Sequence, residues 1–387
     1  VKRITRTGTY ETTSVGGETV KAFVPAPLPP VPPLALDGAP RAALDAALLA
    51  LGRLDGVSSA LPDTHVLLYT YVRKEAVLSS QIEGTQSTLD DLLLFELQET
   101  PGVPLGDVVE VSNYVCALEH GVKRLREGFP LSNRLLREIH EILLSRGRGA
   151  GKNPGEFRRS QNWMGGTRPG NARFVPPPPH KIPDAMGALE TFVHDAKAPP
   201  ALVKAALWHV QFETIHPFLD GNGRVGRLMV TLLLCADGVL REPMLYLSLF
   251  LKQHRARYYA LLDSVRREGD WEAWVAFFCE GVASVSDGAV ATTRQLLELA
   301  EGDRDGLARL GRKAGSAAAV QMALLRMPVC TIPRLARRTG LTLPTIAKAL
   351  DVLLDRKIAS ETTGKKRNRV YRYDRYLNIL NEGTEPL

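Results

Sequence analysis

From Arg41 onward, apolar residues recur at three- and four-residue spacing, the period of an amphipathic helix. The spacing predicts helices over 42–54, 65–78, 87–98, 108–127 and 131–145. After an interruption it predicts more over 183–196, 200–215, 224–237, 252–268 and 271–294. Gly84 follows the second helix and can end it as a left-handed residue. Ser132 is placed to cap the fifth. The period fails in two places. Residues 1–24 read as polar strand or loop, and 23–36 contain six prolines, which implies extended backbone draped over its own domain. Residues 147–179 are rich in Gly and Pro, with short alternation at 157–164 and 172–175. That pattern predicts a β-hairpin, a flap closed by Pro176–Pro179. The fold class is mainly α.

Composition narrows the class. The chain has 387 residues, 44% hydrophobic and 24% charged, enough for two or three domains with a full core. Cys116, Cys235, Cys279 and Cys330 lie far apart in apolar stretches and read as buried reduced thiols of a cytoplasmic protein. No signal peptide or membrane helix is expected; the longest apolar run, near 228–236, is too short to span. The net charge is +7, whereas residues 331–375 alone hold twelve basic and four acidic residues. The rest is near neutral, so any surface for an acidic partner lies at the C-terminal end.

The most informative chemistry lies between two apolar helices, in His216-Pro217-Phe218-Leu219-Asp220-Gly221-Asn222-Gly223-Arg224-Val225-Gly226-Arg227. Two glycines around an asparagine let successive amides turn toward one point, an anion nest at a helix start. Arg224 and Arg227 share a helix face and can fork onto phosphates. Asp220 is a carboxylate beside phosphates, the kind of ligand Mg²⁺ takes. His216 can accept a proton from a hydroxyl. Phe218, apolar among polar neighbours, plugs into the core.

This stretch, His-Pro-Phe-x-Asp-Gly-Asn-Gly-Arg-x-x-Arg, resembles the signature of the Fic (Fido) family, and Trp208–Ile215 resembles the helix leading into it. The resemblance implies a Fic-type helical core with a β-hairpin flap and transfer of AMP from ATP to Ser, Thr or Tyr hydroxyls. By it His216 is the general base and Asp220 the Mg²⁺ ligand. ATP is held by Gly221, Asn222, Gly223, Arg224, Val225, Gly226 and Arg227, with Arg224 on the β-phosphate and Arg227 on the γ-phosphate. Ser79-Ser80-Gln81-Ile82-Glu83-Gly84 alone reads as a helix end. It resembles the family's inhibitory motif, which would place Glu83 against Arg227. Phe157–Gly166 resembles the target-docking flap, with Asn162, Trp163, Met164 and Gly165 at its centre. Tyr259 is the favoured adenine contact, and a core role stands beside it.

Residues 317–327, 332–339 and 343–356 read as three short helices, followed by an alternating segment with a basic tip at Gly364–Arg369. This resembles a small C-terminal winged helix-turn-helix domain. Thr342, Thr345, Lys348, Lys365, Lys366 and Arg367 are its candidate DNA contacts, and protein contact or dimerisation stays open. The division expected is 1–105, an N-terminal segment with the inhibitory helix; 106–300, the catalytic core; 301–316, a helical linker; and 317–387. Expected partners are ATP, protein substrates with exposed hydroxyls (the chain itself included), DNA, and a second copy as homodimer, with no membrane. Other activities on the same loop are AMP removal or Doc-type phosphate transfer. A non-catalytic DNA-binding regulator is the alternative of another class.

Overall fold

A computed structural model describes residues 7–60, 65–97, 103–311 and 314–386. Residues 1–6 of the predicted polar segment and residue 98 of the third predicted helix lie outside them. The chain opens with an antiparallel hairpin, β1 (Gly8–Val15) and β2 (Glu18–Pro25), in register from Gly8 opposite Pro25 to Val15 opposite Glu18. The prolines then run without helix or strand to α1 (Ala39–Ala60).

Next come α2 (His65–Ile82), α3 (Leu89–Glu96), α4 (Leu105–Arg126) and α5 (Asn133–Leu143). Thr88 and Asp91 form a reciprocal capping box at α3, and Ser132 caps α5 by accepting from the Leu135 amide. After the flap come α6 (Ile182–His194), α7 (Ala201–Ile215) and α8 (Asn222–Ala236). From Leu202 onward α7 is buried on every face, and α8 is buried along most of its length. Helices buried on nearly every side sit at a core's centre, so the loop joining these two is anchored at both ends.

Two predicted helices differ from the periodicity in number or reach. The predicted helix 252–268 is two, α9 (Ser248–Gln253) and α10 (Arg255–Glu268), because the turn at His254 lets its ring pack on Phe250. The helix predicted to end at 294 continues as α11 (Trp271–Ala308) through the first half of the expected linker. It packs along α1. An 18-residue window of α11 has the hydropathy of a membrane span, but 61% of that window is buried in the protein. Cys116 is exposed and Cys235 only partly buried, contrary to the expectation, because their helix positions face outward; Cys279 and Cys330 are buried, and all four are free thiols.

The last part holds α12 (Ala314–Arg326), β3 (Val329–Thr331), α13 (Ile332–Thr339), α14 (Leu343–Asp355), β4 (Ser360–Glu361), β5 (Val370–Arg372) and α15 (Asp374–Asn381). Its strands form one antiparallel sheet in the order β3-β5-β4. Gly340 ends α13 in the left-handed region, and Thr342 caps α14. This part is not a separate bead: one apolar cluster runs from Leu44 through α7 and α8 to Leu380.

Candidate active site

The loop between α7 and α8 is shaped by its own residues. His216 ends α7 in the left-handed region (φ 50°), a conformation that costs a non-glycine residue energy unless its surroundings hold it. They do. The guanidinium of buried Arg158 donates to the carbonyls of His216 (2.9 Å), Ser160 (3.1 Å) and Pro177 (2.6 Å), and its amide donates to Pro217 O at 2.8 Å. Asn222 closes the loop, accepting from the Phe218 amide and donating to its carbonyl, both at 2.9 Å. Phe218 is fully buried, as its composition predicted, and stacks on His140 at 3.6 Å. The His140 Nδ1 accepts from the Gly155 amide at 2.8 Å, so its Nε2 carries the proton and donates to Asp220 O at 3.1 Å. Burial pushes the His140 pKa down to about 4, which keeps that arrangement neutral.

Helix α8 starts at Asn222, two residues earlier than periodicity suggested, with Gly221 (φ 78°) as its left-handed N-cap. The amides of Asn222, Gly223 and Arg224 thus belong to the first turn, where they lack intrahelical acceptors. A cleft of about 450 Å³ opens beside this turn and reaches it at Gly223; Gly221 and Asn222 do not line it. Glu83, His216, Gly223, Arg227, Tyr259 and the flap residues Met164, Gly165 and Phe174 line it.

Glu83 lies just past the end of α2 with its side chain about one-third exposed (34%). Its Oε1 accepts from Arg227 Nη2 at 2.7 Å. The same guanidinium donates to Ser79 Oγ and Ser79 O, each at 2.9 Å. Arg227 is therefore held by one turn of α2. A Cβ on Gly223 would lie 2.3 Å from that Oε1, so the carboxylate rests directly on the start of α8. Burial works against the Glu83 charge, but Arg227, with Arg224 and His216 nearby, brings its pKa below the usual range. The pair is ionised at neutral pH.

His216 meets no hydrogen-bond partner at Nδ1 among the described residues. Burial, then the positive charges of Arg158 and Arg266, push its pKa down to about 3. The ring is neutral, the form that accepts a proton. Below it lies Glu213, buried, its Oε1 without a partner. Burial raises its pKa to about 7. Tyr259 borders the cleft and is 38% exposed, whereas Tyr258 is buried and meets His209 Nε2 at 2.9 Å. Both tyrosines border the cleft, Tyr258 from within the core and Tyr259 from its exposed side.

Several predicted positions sit elsewhere. Arg224 does not face the cleft. It is 2% exposed and pairs with Glu110 at 3.0 Å, with Asp220 at 3.5 Å, because a buried guanidinium needs a buried carboxylate. Val225 is fully buried, and Gly226 packs against Phe212, Glu213 and His209. Both serve the contact between α7 and α8 instead of opening onto a ligand. The flap is less regular than a hairpin: one antiparallel bridge joins Met164 and Phe174, by bonds of 2.8 and 3.1 Å. Prolines 176–179 lack the amides a longer ladder needs. Asn162 points inward, donating to Phe218 O at 3.2 Å. The outer arch of the flap is tied to the N-terminal hairpin, through Gly170 N to Glu18 at 2.9 Å and Phe23 N to Val175 O at 2.9 Å. Sequence reasoning missed Arg158, His140 and Glu213. Their one signal was a polar residue directly following an apolar one (Phe157, Ile139 and Phe212), too common to be specific.

Residues 41–123 match the Fic/DOC family N-terminal profile and residues 130–234 the Fic/DOC family profile. A probable protein adenylyltransferase of Aquifex aeolicus is 27% identical over 169 residues, 43% of this chain and 49% of that protein. The protein adenylyltransferase Fic of Aedes aegypti is 30% identical over 234 residues, 57% of this chain and 43% of that protein. The chain spans about half the length of these curated relatives. A crystal structure of a Fic family protein from Desulfovibrio desulfuricans superposes with a TM-score of 0.58 at 21% identity, covering 88% of this chain and 98% of that one. Fic-1 (residues 134–508) from C. elegans gives 0.51 at 21% identity, over 67% and 74%.

Proposed function

From a chain that carries Fic/DOC family domains, we propose a protein adenylyltransferase that moves AMP from ATP to Ser, Thr or Tyr hydroxyls and is restrained by Glu83. The observation that carries this reading is the Glu83 carboxylate, 2.7 Å from Arg227 and resting on Gly223, in the cleft that contains the neutral His216.

The residues divide the work as follows. His216 takes the proton of the attacking hydroxyl, whose oxygen bonds to the α-phosphorus while the bond to pyrophosphate breaks. The first-turn amides of α8 receive phosphate oxygens, and Arg227, once free of Glu83, takes charge on the leaving group. The buried pair with Glu110 makes Arg224 a brace for Asp220 in the observed state. Asp220 is one-third exposed and accepts from the Gly221 amide at 2.6 Å. Among the described residues no cluster of three His, Cys, Asp or Glu surrounds it. A single carboxylate beside phosphates suits Mg²⁺, which keeps several waters, so the residue fits the ion. Mg²⁺ there would neutralise phosphate charge. Tyr259 flanks the base, and the exposed edge of the flap near Trp163 and Gly165 pairs with the target backbone. Residues 317–386 are read as a winged helix-turn-helix unit, with 106–300 as the catalytic core and the cytoplasm as its compartment.

The test is labelling with ATP carrying the isotope at either the α- or the γ-phosphate. Glu83→Gly is expected to transfer α-label to protein, itself included, far faster than wild type. Adding His216→Ala should remove that transfer, by at least the roughly 100- to 10,000-fold a general base supplies. Transfer of γ-label alone would make the protein a phosphotransferase. Absence of both labels in Glu83→Gly would leave a binding protein in place of an enzyme.

A further inference from the structure

Helix α2 carries Glu83 at its end, and its opposite side faces residues 382–386. Three buried side chains meet that segment. Lys74 Nζ donates to Glu382 O at 2.8 Å. Gln81 Nε2 donates to Thr384 O at 2.8 Å and to Ser87 O at 2.8 Å. Lys252, on α9, donates to Gln81 Oε1 at 2.7 Å and to Glu385 O. Lys74 and Gln81 are seven residues apart, two turns along one helix face. Thr384 is itself buried, and Gly383 (φ 78°) lies so close to α9 that a Cβ there would stand 2.9 Å from Leu249.

Gln81 is the link. Its amide bonds on both sides: the two protons go to Thr384 and Ser87, and the oxygen accepts from Lys252. The bond to Ser87 O spans the turn 83–87, the turn that aims Glu83 at Arg227. Removing the 382–386 carbonyls strands buried donors on Lys74, Gln81 and Lys252, which favours movement of the helix end toward water. The segment follows α15 directly, and Asn381 and Arg372 reach Asp90 at the start of α3 at 3.3 and 2.6 Å. A shift of the C-terminal unit therefore pulls on the segment and on the turn after Glu83 together.

We propose that residues 382–386 form a latch that holds the last turn of α2 in the position where Glu83 covers Arg227, so that displacing this segment releases the cleft. The latch rests on the reading of Glu83 as a restraint. Any partner that draws the C-terminal unit away from α2 becomes an activator.

Two variants displace the segment by different means: a chain ended after Asn381, and Gly383→Leu, whose side chain meets Leu249 and resists the positive φ. Melting curves identify which of them fold, and Gly383→Leu keeps the question answerable if the shortened chain does not. In a folded variant, α-label transfer should rise by about tenfold or more over wild type. In the Glu83→Gly background the same changes should add less than about twofold, because the restraint is already gone. Amide hydrogen exchange at 79–85 should quicken. Folded variants with wild-type transfer and wild-type exchange, beside an active Glu83→Gly, would overturn the latch. If Glu83→Gly transfers nothing, the enzymatic reading fails, and exchange at 79–85 alone decides the latch: unchanged rates refute it.

Discussion

Glu213 carries a buried carboxyl whose Oε1 has no hydrogen-bond partner, one turn before the catalytic candidate His216. Burial lifts its pKa from the usual 4.5 to about 7, and the nearby charge of Arg227 offsets only part of that. Between those values the folded chain binds a proton that the unfolded chain releases. The resulting stabilisation is full below the unfolded pKa and is lost as pH rises through 7. Glu213→Gln keeps the shape and removes the charge. Its melting temperature should therefore exceed that of wild type by more at about pH 8 than at about pH 5. Equal differences at both values would mean that Glu213 is ionised throughout. Glu83 behaves oppositely. Its pKa is depressed, so its pairing with Arg227 persists above the usual carboxylate range and fails only in acid. Ordinary changes of cellular pH therefore leave the Glu83–Arg227 pair ionised.

At the scale of elements, the proposed function asks two things of the start of α8: its amides would receive phosphate oxygens, and its first glycine leaves the room that the Glu83 carboxylate takes in the observed state. Gly223→Ala separates the two roles. Its methyl would stand 2.3 Å from Glu83 Oε1 and 2.9 Å from Arg227 Nη1, so it must push the carboxylate away. The same methyl then fills the space that phosphate oxygens need. The expected outcome is a protein with Glu83 displaced that still transfers no AMP, and weaker nucleotide binding by Glu83→Gly/Gly223→Ala than by Glu83→Gly in calorimetry. An active Gly223→Ala protein would move the phosphate site away from α8. The flap adds a second element-level point. It is held less by strand pairing than by Arg158 below and Glu18 above, so its shape follows α7 and the N-terminal hairpin.

Over the whole molecule, the charge is concentrated where the C-terminal unit faces solvent. Lys365, Lys366 and Arg367 are exposed at the tip between β4 and β5, and Lys348 is exposed on α14. Thr342 spends its hydroxyl on capping α14 and on Thr345, at 2.8 Å, which leaves the two threonines less free to read bases than their positions suggested. If this face meets duplex DNA, affinity should fall steeply with salt. Replacing Lys365, Lys366 and Arg367 with Ala should then flatten the slope of log affinity against log salt by about three phosphate contacts. Mobility shifts across a salt series measure this. Salt-independent binding, or none, would turn the unit toward protein contact. The continuous core joining the unit to α2 and α11 means that either partner would act on a unit packed directly against the helix that precedes Glu83.

The loop from His216 to Arg227 and the turn from Ser79 to Gly84 were legible in the amino-acid order because their chemistry is local: glycines, an acid, a histidine and arginines, contiguous in the chain. Helical periodicity likewise located most helices, since a helix must turn one apolar face inward wherever it packs. The tertiary structure alone decided which way the arginines point. Arg224 turned to Glu110, 114 residues away, and Arg227 to Glu83, 144 residues away, and only the second was anticipated. Arg158 under His216, His140 under Asp220 and the contact of Gln81 with Thr384 left no periodic trace either. A buried polar group is stable only beside a partner, and that partner is chosen by the packing of distant helices, which the spacing of residues along one helix does not encode.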